Sequence, residues 1–480
     1  MKRCRFVGLA VILTLSFATV ARAQAPDRSA APKPGPAPAL TLPAIQKQAL
    51  SNGIPVWIVE RHGVPVVQVN LIVKAGSAAD PASKFGLASL TAAMLDEGAG
   101  TRDGLAIADA IDYLGADLST SSTFDASFVN LHVPVARMGD ALAIMADVAV
   151  RPTFGQKDLD RLREERLAGL KQTRDNPSAI AAVAFPLMVY GPSHRYGISM
   201  MGTGETLPSF TTDDLRQFHA GEYRPDRAAL VVVGDVTPAS VLPLLEKQFG
   251  GWKATGPASP ARGVAEAPQI KARQVYIVDK PGAAQSQIRI GCVGVSRSTP
   301  DYHALQVLNT ILGGSFTSRL NQNLREIHGY SYGANSGFDM RLAAGPFFAG
   351  AGVQTDKTAE SITEFFNELN GILKPVPADE LAKAKNYVAL RFPNAFETTR
   401  GIAGQLTQMI VYSLPDDYFA TFVQKVQAVT GQDLSRVAAK YIQPDKLAVV
   451  VVGDRQAIEP KIKALNLGPI TPLKVEDVVR

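Results

Sequence analysis

The period of the hydrophobic pattern changes several times along the chain. Positions 54–60, 64–74 and 127–135 mix β-branched residues with alternation of period two, which predicts strands. Elsewhere the period is helical. Leu87, Leu90, Thr91, Met94 and Leu95 fall at i, i+3, i+4, i+7 and i+8, one face of a core helix. Similar spacing predicts helices over 104–114, 137–150 and 156–174. The order strand, strand, helix, helix, strand, helix, helix predicts an α+β fold with helices packed on mainly antiparallel sheets.

Sliding the chain against itself uncovers a repeat. The segment FTTDDLRQFHAGEYRPDRAALVVVGD returns as VTGQDLSRVAAKYIQPDKLAVVVVGD, with Pro225 on Pro444, Asp226 on Asp445 and Gly234-Asp235 on Gly453-Asp454 at a shift of 219. Arg151-Pro152 ahead of Asp158-Leu159 matches Lys374-Pro375 ahead of Glu380-Leu381 at a shift of 222 to 223, a difference that small loop insertions absorb. The chain therefore reads as two homologous halves, 44–250 and 273–470, joined by a Gly/Pro/Ala-rich linker over 251–272. Each half, at about 200 residues, has room for two similar sub-units. A duplicated chain of this kind is expected to form a clam-like chamber, and interfaces between domains favour binding sites.

Composition agrees with a globular chain too long for one core: 480 residues, 46% hydrophobic and 19% charged. Residues 1–23 have the form of a signal peptide, with Lys2, Arg3 and Arg5, an apolar run over 6–17, and Ala21-Arg22-Ala23 at the cleavage point. Cleavage near Ala23 and export, to the periplasm or otherwise, are expected, followed by an Ala/Pro-rich tether over 24–43. No later run reaches about 18 uninterrupted apolar residues, so a soluble mature protein without a membrane span is expected. The leader holds four of the 49 basic residues and no acid, leaving 45 against 44. The basicity thus lies mostly in the leader, and charge gives no support for a nucleic-acid partner. Past the leader Cys292 stands alone with no basic neighbour, which predicts a buried small hydrophobe rather than a nucleophile.

Candidate chemistry is sparse. His62, His132, His194, His219, His303 and His328 include no two within five residues, so the i, i+4 pair of a helical zinc site is missing and each reads as a surface or packing residue. Glu164 and Glu165 read as ion-pair partners of Arg161 and Arg163. Neither Ser89 nor Ser199 sits in a G-x-S-x-G elbow. Gly313-Gly314-Ser315 lacks the lysine of a phosphate loop and reads as a helix-entry turn.

Four stretches add a further reading: GLASLTAAMLDEGAGT, GADLSTSSTFDASFVNLHV, LKQTRDNP and LGGSFTSRLNQNLREIHGYSYGANSGF. Together with the repeat they resemble the pitrilysin, insulysin and mitochondrial-processing-peptidase superfamily of inverted-motif zinc proteases, over nearly the whole mature chain. The resemblance places the Gly86 helix where members carry H-x-x-E-H, two histidine ligands on one helix face and a glutamate that activates the metal-bound water. Here those places hold Ser89, Ala92 and Ala93, and the distal glutamate ligand, counted back from Asn176-Pro177, falls on or next to Gly169. Ser119 stands where the substrate edge strand has an asparagine. What is kept is Arg325 and Tyr332, seven residues apart, matching the family's arginine and tyrosine that hold the substrate beside the zinc; Tyr330 does not match that spacing.

The resemblance thus implies a chain with no metal or cofactor of its own and no activity alone, like the non-zinc-binding subunit of heteromeric bacterial members. Its partner would be a homologous H-x-x-E-H zinc subunit, and its substrates small unstructured peptides bound by Arg325 and Tyr332. The alternative is a non-proteolytic structural or peptide-binding scaffold of the same fold.

Overall fold

The alternating and β-branched runs build two six-stranded sheets in the computed structural model, which describes residues 44–259 and 263–480. The expected signal segment and tether lie outside the described residues. The first sheet contains β1 (Gln46–Ala49), β2 (Pro55–Glu60), β3 (Val66–Val73), β4 (Asp117–Ser122), β5 (Ser127–Pro134) and β6 (Ala228–Gly234), in the order β1-β2-β6-β3-β5-β4. The second contains β7 (Gln274–Asp279), β8 (Gln285–Val293), β9 (Ser331–Phe338), β10 (Pro346–Gln354), β11 (Ala448–Gly453) and β12 (Ile470–Leu473), in the order β9-β10-β8-β11-β7-β12.

Read from β2 and from β7, five strands of each sheet follow the same order, and the same pair in each, β2 with β6 and β7 with β11, runs parallel. The remaining pairs within those five are antiparallel. The repeat is therefore structural down to its helix caps. Thr211 and Asp214 form a capping box at the start of the helix Thr212–Glu222, and Thr430 and Asp433 form its counterpart ahead of Gly431–Tyr441. Strands β6 and β11, with the apolar texts AALVVVG and AVVVVG, are buried along their whole length, as strands covered on both faces must be. Each half is built on one six-stranded sheet, and the first half adds a short two-stranded ribbon of Gly98–Ala99 with Arg102–Asp103.

Four helices position the site: α1 (Leu87–Ala93), α2 (Gln156–Asp175), α3 (Pro177–Tyr190) and α4 (Thr399–Val411). Helix α3 starts cleanly, because Asn176 Oδ1 accepts from Ser178 and Ala179 N–H and Pro177 occupies the first helical position. It belongs to the first half yet packs on β8 and β11 of the second. Ile180, Ala181, Ala184 and Phe185 share a core with Val293, Val450 and Val452. Gly291 permits this approach, since a Cβ there would stand 2.8 Å from the Phe185 ring and 2.0 Å from Phe347 O. Helix α4 makes the reciprocal journey onto β3 and β6, where Ile402, Leu406 and Ile410 join Ile72, Val231 and Val233. The halves thus exchange a covering helix.

Among the described residues β4 and β9, the equivalent strands of the repeat, stand at the edges of their sheets. Among the described residues no helix is long and apolar enough to cross a membrane.

Candidate functional site

Helix α1 begins at a place only glycine can fill. Gly86 has φ 96°, and a Cβ there would lie 2.6 Å from Gly202 Cα. The first turn is capped from a distance by Asp80, whose Oδ2 accepts from Gly86 N–H at 2.8 Å and whose Oδ1 accepts from Ala88 N–H at 2.7 Å. Asp80 is 1% exposed, and burial pushes its carboxyl up to about 7 against the pull of those two hydrogen bonds.

Opposite this helix stands Arg166 of α2. Its Nη2 donates to Ser89 O at 3.0 Å and to Ser89 Oγ at 3.1 Å, and its Nη1 reaches Met201 O at 3.4 Å. Burial lowers the guanidinium to about 10, with the Asp80 charge opposing the shift, so Arg166 stays cationic at neutral pH. Ser89 Oγ also lies 3.8 Å from Met201 Sδ. Three residues beyond Arg166, on the same face of α2, comes Gly169. The structure therefore brings the Ser89 and Gly169 helices together and sets a guanidinium against Ser89.

These residues do not fit a zinc ion. Ser89 is hydrogen-bonded to a cation, Ala92 and Ala93 offer methyl groups, Gly169 offers no side chain, and the charge a metal would bring is already supplied by Arg166. Among the described residues no group of three or more His, Cys, Asp or Glu is arranged to hold a metal.

Arg325 lies on a π-turn, Gln322–Ile327. Its Nε is 3.2 Å from Glu326 Oε1, and the guanidinium lies 4.6 Å from the centre of the Phe316 ring. Tyr332 sits at the irregularity between Ser331 and Ala334 where β9 meets β10, and is 89% exposed. Tyr330, by contrast, stacks on His328 with ring centres 4.9 Å apart. Among the described residues no hydrogen bond or ring contact joins Arg325 to Tyr332, or either of them to Ser89. Ser119 is exposed on the edge strand β4.

Other sequence readings can be placed. Cys292 is buried and its thiol is pushed up to about 12 by burial, so it is inert. Arg161 pairs with Glu165 at 2.8 Å and also with Glu97, and Arg163 pairs with Asp160; among the described residues Glu164 makes no ion pair. Gly313-Gly314-Ser315 is not a helix entry. It closes a π-turn, Thr310–Gly314, and Gly313 is needed because a Cβ would stand 2.3 Å from Ser336 N. Arg166 and Asp80 were not singled out by the sequence; the one available signal was the i, i+3 spacing of Arg166 from Gly169.

A model described as insulinase (peptidase family M16) matches residues 56–189, and one described as the peptidase M16 inactive domain matches residues 209–388. The chain is similar to the uncharacterized zinc protease YmxG of Bacillus subtilis, with 27% identity over 323 residues, 67% of this chain and 77% of that one. It is also similar to an uncharacterized zinc protease of Rickettsia bellii, with 24% identity over 413 residues, 85% and 91% of the two chains. Among solved structures, a peptidase M16 inactive domain from Pseudomonas fluorescens superposes with a TM-score of 0.79 and 29% identity, covering 85% of this chain and 98% of that one. A protease from Helicobacter pylori has a TM-score of 0.77 at 22% identity, covering 86% and 100%, a likeness of fold.

Proposed function

This chain belongs to the insulinase (M16) peptidase superfamily, and from that premise we propose that it is the exported, non-zinc subunit of a heteromeric metallopeptidase. A homologous partner with an intact H-x-x-E-H motif supplies zinc and general base. This chain supplies Arg325 and Tyr332 to grip small unstructured peptides, the guanidinium and phenol donating to peptide carbonyls beside the partner's metal. One observation supports the reading: Ser89, which the resemblance aligns with the first zinc ligand, is hydrogen-bonded to the partly buried guanidinium of Arg166, a cation in place of a metal.

The test is reconstitution. The purified chain, residues 24–480, is assayed on a quenched fluorescent peptide alone and after mixing with an H-x-x-E-H homologue from the same source. The expected result is no turnover alone, turnover on mixing, and a loss of roughly a hundredfold with Arg325→Ala, the scale of one lost transition-state donor. Stoichiometric zinc together with peptidase activity in the isolated chain would overturn the proposal.

The second reading, a structural or peptide-binding scaffold, draws on one observation: Arg325 is engaged by Glu326 and Phe316 within its own chain. Turnover on mixing that ignores Arg325→Ala would favour it.

A further inference from the structure

Away from α1, the seam between the halves opens into a cavity of about 340 Å³. One wall is made by Arg61, Val64, Val66 and His132 of the first half, the other by residues 398–400 at the start of α4. Arg61 follows β2, and its side chain makes a single hydrogen bond among the described residues, from Nη2 to Glu397 O at 2.7 Å. It has no carboxylate partner there. Arg400 Nη2 donates to Asp117 Oδ2 at 2.7 Å, which ties the cavity to the first residue of the edge strand β4. The cavity is thus lined by two guanidiniums, one paired with Asp117 and the other without a carboxylate among the described residues.

His132 sits between the rows, opposite Asp117 on β4 and opposite Gln68 on β3. Its Nδ1 is buried without a partner among the described residues, an unused hydrogen-bonding atom of the kind that native interiors rarely leave idle. Burial, reinforced by the Arg400 charge and opposed by Asp117, holds its pKa below the ordinary value, so the imidazole is neutral at pH 7. The rest of the lining is apolar, Val64 and Val66 with the methyl groups of Thr398 and Thr399, and Val64 is largely exposed. The volume is at the small end of ligand pockets.

We infer that this cavity binds a small aliphatic carboxylate, its oxygens between the Arg61 and Arg400 guanidiniums and its hydrocarbon part against Val64 and Val66. Guanidinium forks suit a planar carboxylate, and the valine wall demands an apolar body attached to it. The C-terminal residue of a peptide and a free short-chain acid share this chemistry. The site needs no zinc and no partner chain, so it is independent of the peptidase reading. A carboxylate seated beside His132 favours the protonated imidazole; of the charged groups around it, Arg61 and Arg400 oppose that protonation and Asp117 supports it. Binding therefore favours proton uptake by His132 and tightens as pH falls into the imidazole's range.

Calorimetric titration of the full chain with N-acetylvaline, N-acetylvaline amide, pentanoate, N-acetyl-alanyl-valine and inorganic phosphate tests this. Saturable binding of the acids, with the amide at least about tenfold weaker, is expected. Arg61→Ala and Arg400→Gln should each weaken the acids about tenfold without changing the melting temperature by more than a few degrees. Val64→Asp, at an exposed position, should weaken them further by placing a like charge beside the ligand. Tighter binding of the dipeptide acid assigns a peptide end, and tighter binding of pentanoate a free acid; both support the site. Equal binding of acid and amide, unchanged affinity in both arginine variants, phosphate as the tighter ligand, or no saturable binding would each overturn it, and would leave the reconstitution result untouched.

Discussion

Arg166 gives the Ser89 end of α1 a hydrogen-bonded arrangement of its own. A guanidinium bonded to Ser89, with the buried Asp80 carboxylate opposing its charge loss, provides a cation at the position that the proposed reading aligns with a metal site. Restoring ligands is therefore not enough. The quadruple variant Ser89→His, Ala92→Glu, Ala93→His, Gly169→Glu should remain free of zinc by elemental analysis, because the cation still occupies the pocket and repels a second one. Adding Arg166→Ala should allow roughly one zinc per chain. Zinc uptake by the quadruple variant with Arg166 intact would show that the guanidinium does not hold the place. In the parent chain, Arg166→Ala alone should cost about 1–2 kcal/mol in urea denaturation, the scale of a few lost partly buried hydrogen bonds. None of this was legible from residue types. Ser89, Ala92, Ala93 and Gly169 stood out only through resemblance, whereas Arg166 was one more charged residue on a charged helix until folding set it against α1.

Among the elements, α1 carries the sharpest pH signature. The folded-state pKa of Asp80 lies near 7, above its ordinary 3.8, so between those values the folded chain holds the proton more tightly than the unfolded chain does. Stability relative to an Asp80→Asn variant should accordingly fall as pH rises from about 4 to about 7. The variant itself keeps one acceptor for two N–H groups and should be less stable by about 1–3 kcal/mol at the acid end of that window. Urea midpoints at several pH values check both statements; a difference that widens with pH would contradict the shift. Strands such as β2, β3 and β5 were readable because their β-branched residues alternate, and α2 because its polar face repeats. Helix α3 was not. Its text SAIAAVAFPLMVY is apolar nearly all round and contains Pro186, so it has no clear period. The reason is its placement, against the sheet of the other half.

At the scale of the molecule, the two halves are latched by Asp125. This 5% exposed carboxylate accepts from Leu342 N–H at 3.1 Å and from the Tyr196 and Tyr412 hydroxyls at 3.3 Å each, joining the β4–β5 turn to the β9–β10 turn and to the segment following α4. Arg341 lies over the Phe124 and Tyr196 rings at 3.9 and 4.5 Å and closes the same junction. Asp125→Ala strands three donors and should lower stability by about 1–3 kcal/mol, with faster hydrogen exchange over 339–345. Unchanged exchange there would deny the latch. The duplication itself was legible from the 219-residue shift, but the junction was not, because its members come from four separate parts of the chain.

The exchange of α3 and α4 has a consequence for how such a chain could have arisen. A lone half would carry one long apolar helix with nowhere to lie and one apolar sheet face left bare, so it is not a self-sufficient monomer. Two copies would supply each other's missing cover by trading helices, and fusing them through a loop would add a tether while changing none of the packing. In the single chain the two traded helices, each packed on inner strands of the other half's sheet, keep the halves in register, while the edge strands are the parts left to differ.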